Sequence, residues 1–190
     1  MANEYDYTGL HAFVFIDRIA GGRSPAEVVS ALRALGEPPD GPVIFASEFV
    51  GRYLAFAHLW VDGEDNLSGL HDLITGPLWE LGVHCQYCIE AAVFSGDENG
   101  EAVKKGTKRA TPEVIALASI VVEPGKVGDV LQELGHLPHF KGASVVTGDI
   151  DILLQLGGDS LTELLETALS ELQGIEGIVH TSTAVADGTR

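Results

Sequence analysis

The sequence predicts an α+β chain made of two tandem β-α-β-β-α-β units. Three observations carry this. Apolar runs bounded by Gly and Pro alternate with stripes of helical period, the order of these segments in the first half recurs in the second, and a stretch rich in Gly, Lys and Glu, Ser95–Thr111, lies between the halves. With 190 residues the chain can form one large domain or two small ones, and 45% apolar residues suffice to fill a core.

The second half shows the order more clearly. Val114–Val122 is an apolar run between Pro112 and Pro124-Gly125, the pattern of a buried strand. Val127, Val130, Leu131, Leu134 and Leu137 form a helical stripe that His136-Leu137-Pro138 ends. Ala143–Thr147 is rich in strand formers, Gly148-Asp149 reads as a hairpin turn, and Ile150–Leu156 is the return strand. Asp159 or Ser160 can cap the next helix, with Glu163 completing a capping box with Ser160. Its stripe is Leu161, Leu164, Leu165, Ala168, Leu169 and Leu172, it stops at Gly174 and Gly177, and Ile178–Val185 is the last strand.

The first half follows the same order. Ala12–Ile19 is a strand, and Ser24-Pro25-Ala26-Glu27 is a capping box with proline at the first helical position. Val28, Leu32 and Leu35 make the buried stripe, Gly36 ends the helix, and Val43–Val50 and Tyr53–Val61 flank a turn at Gly51-Arg52. Leu67, Leu70, His71 and Ile74 mark a second helix, which Gly76-Pro77 is expected to kink or break because proline has no N–H and its ring crowds Leu73. Val83–Phe94 is the final strand. Pro25, Leu32, Gly51, Leu67 and Gly82 correspond to Pro124, Leu131, Gly148, Leu161 and Gly177 at a near-constant offset. The expected organisation is therefore a unit over residues 11–94, a linker over 95–113 and a unit over 114–186, each a ferredoxin-like βαββαβ fold.

Strand patterning adds an expectation about assembly. Ile150, Ile152, Leu154 and Leu156 fall on one face and Asp151, Leu153 and Gln155 on the other, and the two central strands of the first half are apolar on both faces. Sheets apolar on both sides are normally covered on both sides. The simplest solution packs the two sheets against each other within one chain, a dimeric α/β-barrel-like arrangement.

Charge narrows the partners. The chain carries 11 basic and 28 acidic residues, a net charge of -17. DNA binding draws on neutralised phosphates, so direct nucleic-acid binding is not expected. Four of the basic residues, Lys104, Lys105, Lys108 and Arg109, cluster in the linker, where a solvated segment is the simpler account. Met1–Tyr7 is acidic and polar, unlike a secretory leader, and no apolar run reaches the roughly 18 residues of a membrane span. The expectation is a cytoplasmic protein off the membrane.

Three motifs of the second half resemble the effector domain of the Lrp/AsnC regulators. Val121-Val122-Glu123-Pro124-Gly125-Lys126 resembles that family's strand-to-helix entry, Val145–Leu154 its central hairpin, and Ile175–Thr183 its last turn and strand. The resemblance runs from about Val114 to Val185. It implies a domain that binds small effectors, usually amino acids, often where dimers meet in a ring, and hence a homo-oligomer. Carried onto this sequence, the implied ligand-binding residues are Thr147, Gly148, Asp149 and Asp151 from the hairpin and Thr181 and Thr183 from the last strand. Gly148 would let backbone approach a ligand, an Asp carboxylate would pair with an ammonium group, and hydroxyls and N–H groups would receive a carboxylate. Equally, Gly-Asp is an ordinary hairpin turn and Thr an ordinary strand residue. The family's helix-turn-helix has no room before Ala12, which points to a role through a helix-turn-helix-bearing relative. The first half carries Arg52 and Leu54 where the second has Asp149 and Asp151, so it reads as a degenerate copy kept for packing.

Signals for catalysis are weak, and no cofactor or metal is expected. Cys85 and Cys88 are spaced C-x-x-C beside His84, but within a strand residues three apart point to opposite faces unless a bulge intervenes. His136 and His139 sit at a helix end interrupted by Pro138, where a histidine suits the helix dipole. Tyr53, Trp60, Trp79 and Tyr87 read as core or interface aromatics, and Phe13, Phe15, Phe45 and Phe56 as a buried strand surface. The alternatives to an effector-binding protein are a small-molecule enzyme of the dimeric α/β-barrel type, for which His58, His84 and His180 are the residues to inspect, and a structural assembly module.

Overall fold

The computed structural model describes residues 9–63, 66–94, 114–158 and 160–186. The linker at 95–113, with its basic cluster, and the cap candidate Asp159 lie outside the described residues. The chain divides into two compact units, Tyr7–Ile89 and Glu90–Arg190. No helix among the described residues is long and apolar enough to cross a membrane.

The first unit runs β1 (Gly9–Ile19), α1 (Pro25–Arg33), β2 (Val43–Val50), β3 (Ala55–Asp62), α2 (Leu67–Leu73) and β4 (Val83–Phe94), of which β4 passes into the second unit at Glu90. Its strands are antiparallel in the order β2-β3-β1-β4. Directly opposed residues share a face, so Val14, Ile16, Ala55, Ala57 and Leu59 line one face and pack against Val28 and Leu32 of α1. The capping box forms as read: Ser24 Oγ accepts from the Glu27 N–H, and the Glu27 carboxylate accepts from the Ser24 N–H at 2.7 Å. The second helix departs from expectation. It is not broken at Pro77 but widens into a π-helical turn over Ile74–Leu78, which absorbs the missing N–H and keeps Leu78 in the core.

The second unit runs β5 (Val114–Val122), α3 (Val127–Gly135), β6 (Phe140–Thr147), β7 (Ile152–Gly158), α4 (Leu161–Glu166) and β8 (Ile178–Ala186), antiparallel in the order β6-β7-β5-β8. Ala116, Ala118, Ile120, Ile152, Leu154 and Leu156 pack under Val130 and Leu134 of α3 and Leu164, Ala168 and Leu172 from α4 and its continuation. That continuation is a π-helical turn, Thr167–Glu171, then a short 3-10 turn, Leu172–Gly174. The single stripe expected here is therefore corrected. A wide turn changes the angular step, so Thr167 is buried while Leu169 is 58% exposed; Leu161, the first residue of α4, is 47% exposed.

The faces turned away from the helices differ between the units. In the first, Phe13, Phe15, Phe45, Phe49 and Phe56 form a network of ring contacts with centroid separations of 5.3 to 6.3 Å around Phe56. Tyr53 joins it, but Trp79 and Tyr87, expected in a core or interface, are 76% and 49% exposed. In the second unit, one transverse row reads Ser182, Ser119, Leu153, Ser144 across β8, β5, β7 and β6. At its end Ser144 Oγ donates to Glu90 Oε1 at 2.6 Å, and both residues are buried.

Candidate functional site

The β6–β7 hairpin holds four of the six residues implicated by sequence. Gly148 has φ 132°, a conformation L side chains rarely adopt, and this turns the chain. The Val146 N–H donates to the Asp151 carbonyl and the Asp151 N–H to the Ile120 carbonyl, each at 3.0 Å. Thr147, Gly148 and Asp149 are exposed together at the tip, while Asp151 is half-buried at the base.

Asp151 is already engaged. Its Oδ2 accepts from the Val122 N–H at 2.8 Å, which replaces a main-chain carbonyl at the end of β5. β7 begins at Ile152 rather than at Ile150 as expected. Thr181 and Thr183 lie opposite Ile120 and Ala118 on β5, half-buried on the face that α3 and α4 cover. The structure thus gathers Thr147, Gly148 and Asp149, sets Asp151 behind them, and places the two threonines on the helix side of β8.

The hairpin tip can offer an exposed carboxylate, a hydroxyl and backbone groups. Polar groups that sequence reasoning passed over lie on the opposite face from the threonines: Ser119, Ser144 and Glu90 are 5%, 3% and 5% exposed. A signal existed, since Ser119 interrupts an apolar run out of phase with Ala118 and Ile120.

The histidines fall into separate settings. His11 Nδ1 and His58 Nε2 are 3.0 Å apart on the aromatic face of the first unit, with Phe13 4.6 Å from His58 between ring centres. His84 Nδ1 contacts Asp17 Oδ1 at 2.7 Å near the surface, and His180 is exposed. His136 follows α3 directly, and His139, at φ 64°, lies 3.9 Å from the Glu163 carboxylate. Cys85 packs with the core beneath α1 while Cys88 lies opposite Phe13 on the other face, as strand alternation requires. Burial, and then the nearby Asp17 carboxylate, pushes the Cys85 thiol pKa up, the reverse of an activated nucleophile. Among the described residues no group of three or more His, Cys, Asp or Glu is placed to hold a metal ion.

No family model matches the chain. By sequence it is similar to an uncharacterised HTH-type transcriptional regulator of Pyrococcus furiosus, 38% identical over 77 residues, which is 40% of this chain and 52% of that protein. The crystal structure of FFRP-DM1 is 30% identical over 38% of this chain and 97% of that one, with a TM-score of 0.37. Over that stretch the chain is similar to HTH-type transcriptional regulators. The chain spans about half the length of the curated regulators it matches. Over the longer span its fold is like that of the siroheme decarboxylase NirDL in co-complex with an iron-uroporphyrin III analogue, at a TM-score of 0.66 and 11% identity, covering 93% of this chain and 70% of that one. A putative chlorite dismutase, TA0507, gives 0.55 at 7% identity, covering 95% of this chain and 96% of that one. These likenesses show a shared α+β fold.

Proposed function

We propose that the chain is a non-catalytic, effector-binding protein of Lrp/AsnC type: a duplicated effector domain whose second copy senses an amino acid or a related metabolite. The observation that supports this best is the sequence relationship to HTH-type regulators over 40% of the chain. The exposed Thr147-Gly148-Asp149 tip is the contact offered to the effector, with Asp151 behind it and Thr181 and Thr183 on β8, one strand beyond β5. In this reading the protein forms homo-oligomers, and the effect on transcription passes through a helix-turn-helix-bearing relative, because a net charge of -17 opposes direct contact with DNA.

A thermal-shift screen of the purified chain against the twenty amino acids and a set of keto acids tests this. A ligand that binds only the folded state raises the melting temperature with its affinity and excess. A rise with at least one amino acid, reduced in Asp149→Ala, is the expected result. A flat screen would sink it.

One observation favours a second reading. His58, 8% exposed, sits against His11 on an aromatic sheet face, and fold neighbours include proteins that handle iron tetrapyrroles. A small-molecule enzyme of the dimeric α/β-barrel type would use these two imidazoles. Titration with hemin separates the readings: a shifted Soret band lost in His58→Ala selects the enzyme, and an unchanged free-hemin spectrum selects the effector protein.

A further inference from the structure

We infer that Asp151 is a positioning residue rather than a charge partner of the effector: its carboxylate is the acceptor that latches the β6–β7 hairpin to the end of β5, and so sets where the Thr147-Gly148-Asp149 tip stands. This rests on the effector reading above and assigns a role within it.

The inference starts at Val122. On the β7 side, strand pairing ends at Ile120 and Ile152, so no β7 carbonyl stands opposite the next N–H along β5. On the β8 side, the register shifts between Val121, opposite His180, and Val122, opposite Ile178. The Val122 N–H therefore lies where both ladders change, and the Asp151 carboxylate takes it at 2.8 Å. A partly buried backbone N–H that lost this acceptor would be costly.

The first unit acts as an internal control. Leu54 follows Gly51 by the same interval as Asp151 follows Gly148, and it makes the same main-chain bonds: Phe49 N–H to the Leu54 carbonyl at 3.0 Å and Leu54 N–H to the Ile16 carbonyl at 2.7 Å. A leucine side chain accepts nothing. The turn itself thus forms without the carboxylate, and the latch is an addition confined to the unit that carries the candidate residues. The residue that follows β5, Glu123, donates its N–H to the Gly177 carbonyl at 2.8 Å. Val122 and Glu123, consecutive in the chain, thus bond to the hairpin and to the turn entering β8 respectively.

The chemistry separates the two roles of Asp151. The donor is a neutral amide, so a latch needs an oxygen acceptor but no negative charge, and asparagine can supply it. Pairing with an ammonium group needs the charge.

The test uses the full chain with Asp151→Asn and Asp151→Leu, read by hydrogen exchange at the Val122 amide and by calorimetric titration with each of the twenty amino acids, at a temperature where circular dichroism shows each variant folded. Asp151→Asn is expected to keep Val122 protection and bind within about threefold of the parent, while Asp151→Leu loses about tenfold or more in both, the scale of one buried hydrogen bond. Asparagine that protects Val122 but binds as poorly as leucine would show that the charge meets the effector, and would overturn the inference. Leucine that binds like the parent would overturn it too, by freeing the tip from the latch. Should Asp151→Leu fail to fold, Asp151→Asn alone still separates charge from acceptor. If no amino acid binds the parent, the effector reading falls, and Val122 exchange still decides the latch.

Discussion

The two β-hairpins of this chain follow one backbone path and carry different side chains. Gly51 and Gly148 turn at φ 139° and 132°, and each hairpin closes with the same pair of main-chain bonds, one of them back to the neighbouring strand. Around that shared frame, Phe56 faces Phe15 and Ser47 in the first unit, where Leu153 faces Ser119 and Ser144 in the second. Leu54 is 36% exposed, whereas the corresponding Asp151 is bonded to Val122. Glycine placement and strand register set the path. The side chains are then free to make one face an aromatic core and the other a polar row, so matching folds do not imply matching sites.

The largest effect should come from the row that differs most. Phe56 is 3% exposed and touches the rings of Phe13, Phe15, Phe45 and Phe49. Truncation to alanine leaves a ring-sized cavity and is expected to cost about 3–5 kcal/mol in urea unfolding. Leu153→Ala, also at a 3% exposed position, should cost about 2–3 kcal/mol, since a smaller side chain is lost beside small serines. Equal losses would mean that the aromatic network adds nothing to simple burial, and the contrast between the faces would be one of composition alone.

A smaller pair of effects tests the shared frame. Gly51→Ala and Gly148→Ala both place a Cβ at a φ that L residues avoid. Each is expected to lower stability by more than about 1 kcal/mol, and by similar amounts. If only one of them is sensitive in denaturant titration, the two turns are not equivalent.

Much of this was legible in the sequence, and the limits have physical causes. The spans Val43–Val50, Val83–Phe94 and Val114–Val122 were read as they stand, because apolar runs between Gly and Pro leave few alternatives. The helices were read less well. Pro77 and the Thr167–Glu171 segment are accommodated by widened turns, which hydrophobic period does not encode, and Leu169 faces outward as a result. The candidate site was legible only as a loop. Asp151 meets a backbone N–H 29 residues away in the chain, and nothing local to Asp149-Ile150-Asp151 distinguishes that acceptor from a ligand-binding carboxylate. Thr181 and Thr183 were chosen by resemblance, and their face is fixed by register with Ile120 and Ala118.

The smallest expected difference lies in the helix caps. In the first unit Ser24 and Glu27 cap each other reciprocally. In the second, Ser160 accepts from the Glu163 N–H at 3.4 Å, and the Glu163 carboxylate lies 3.9 Å from His139. Ser24→Ala should cost about 1 kcal/mol and Ser160→Ala about half of that. Acid titration sharpens the point. The Ser24 N–H, then its hydroxyl, hold the Glu27 pKa below the ordinary carboxylate value. A group whose folded pKa is lowered adds stability above its unfolded pKa and loses it as pH falls through the folded one. The Ser24 hydroxyl also donates to the Glu27 carboxylate at 3.0 Å, so the penalty of Ser24→Ala should shrink as pH falls through the lowered folded pKa and that bond weakens on protonation. A penalty for Ser24→Ala that stays constant down to pH 2.5, roughly two units below the ordinary Glu value, would show that the Ser24 hydroxyl alone caps α1. The two units would then begin their first and last helices in the same way.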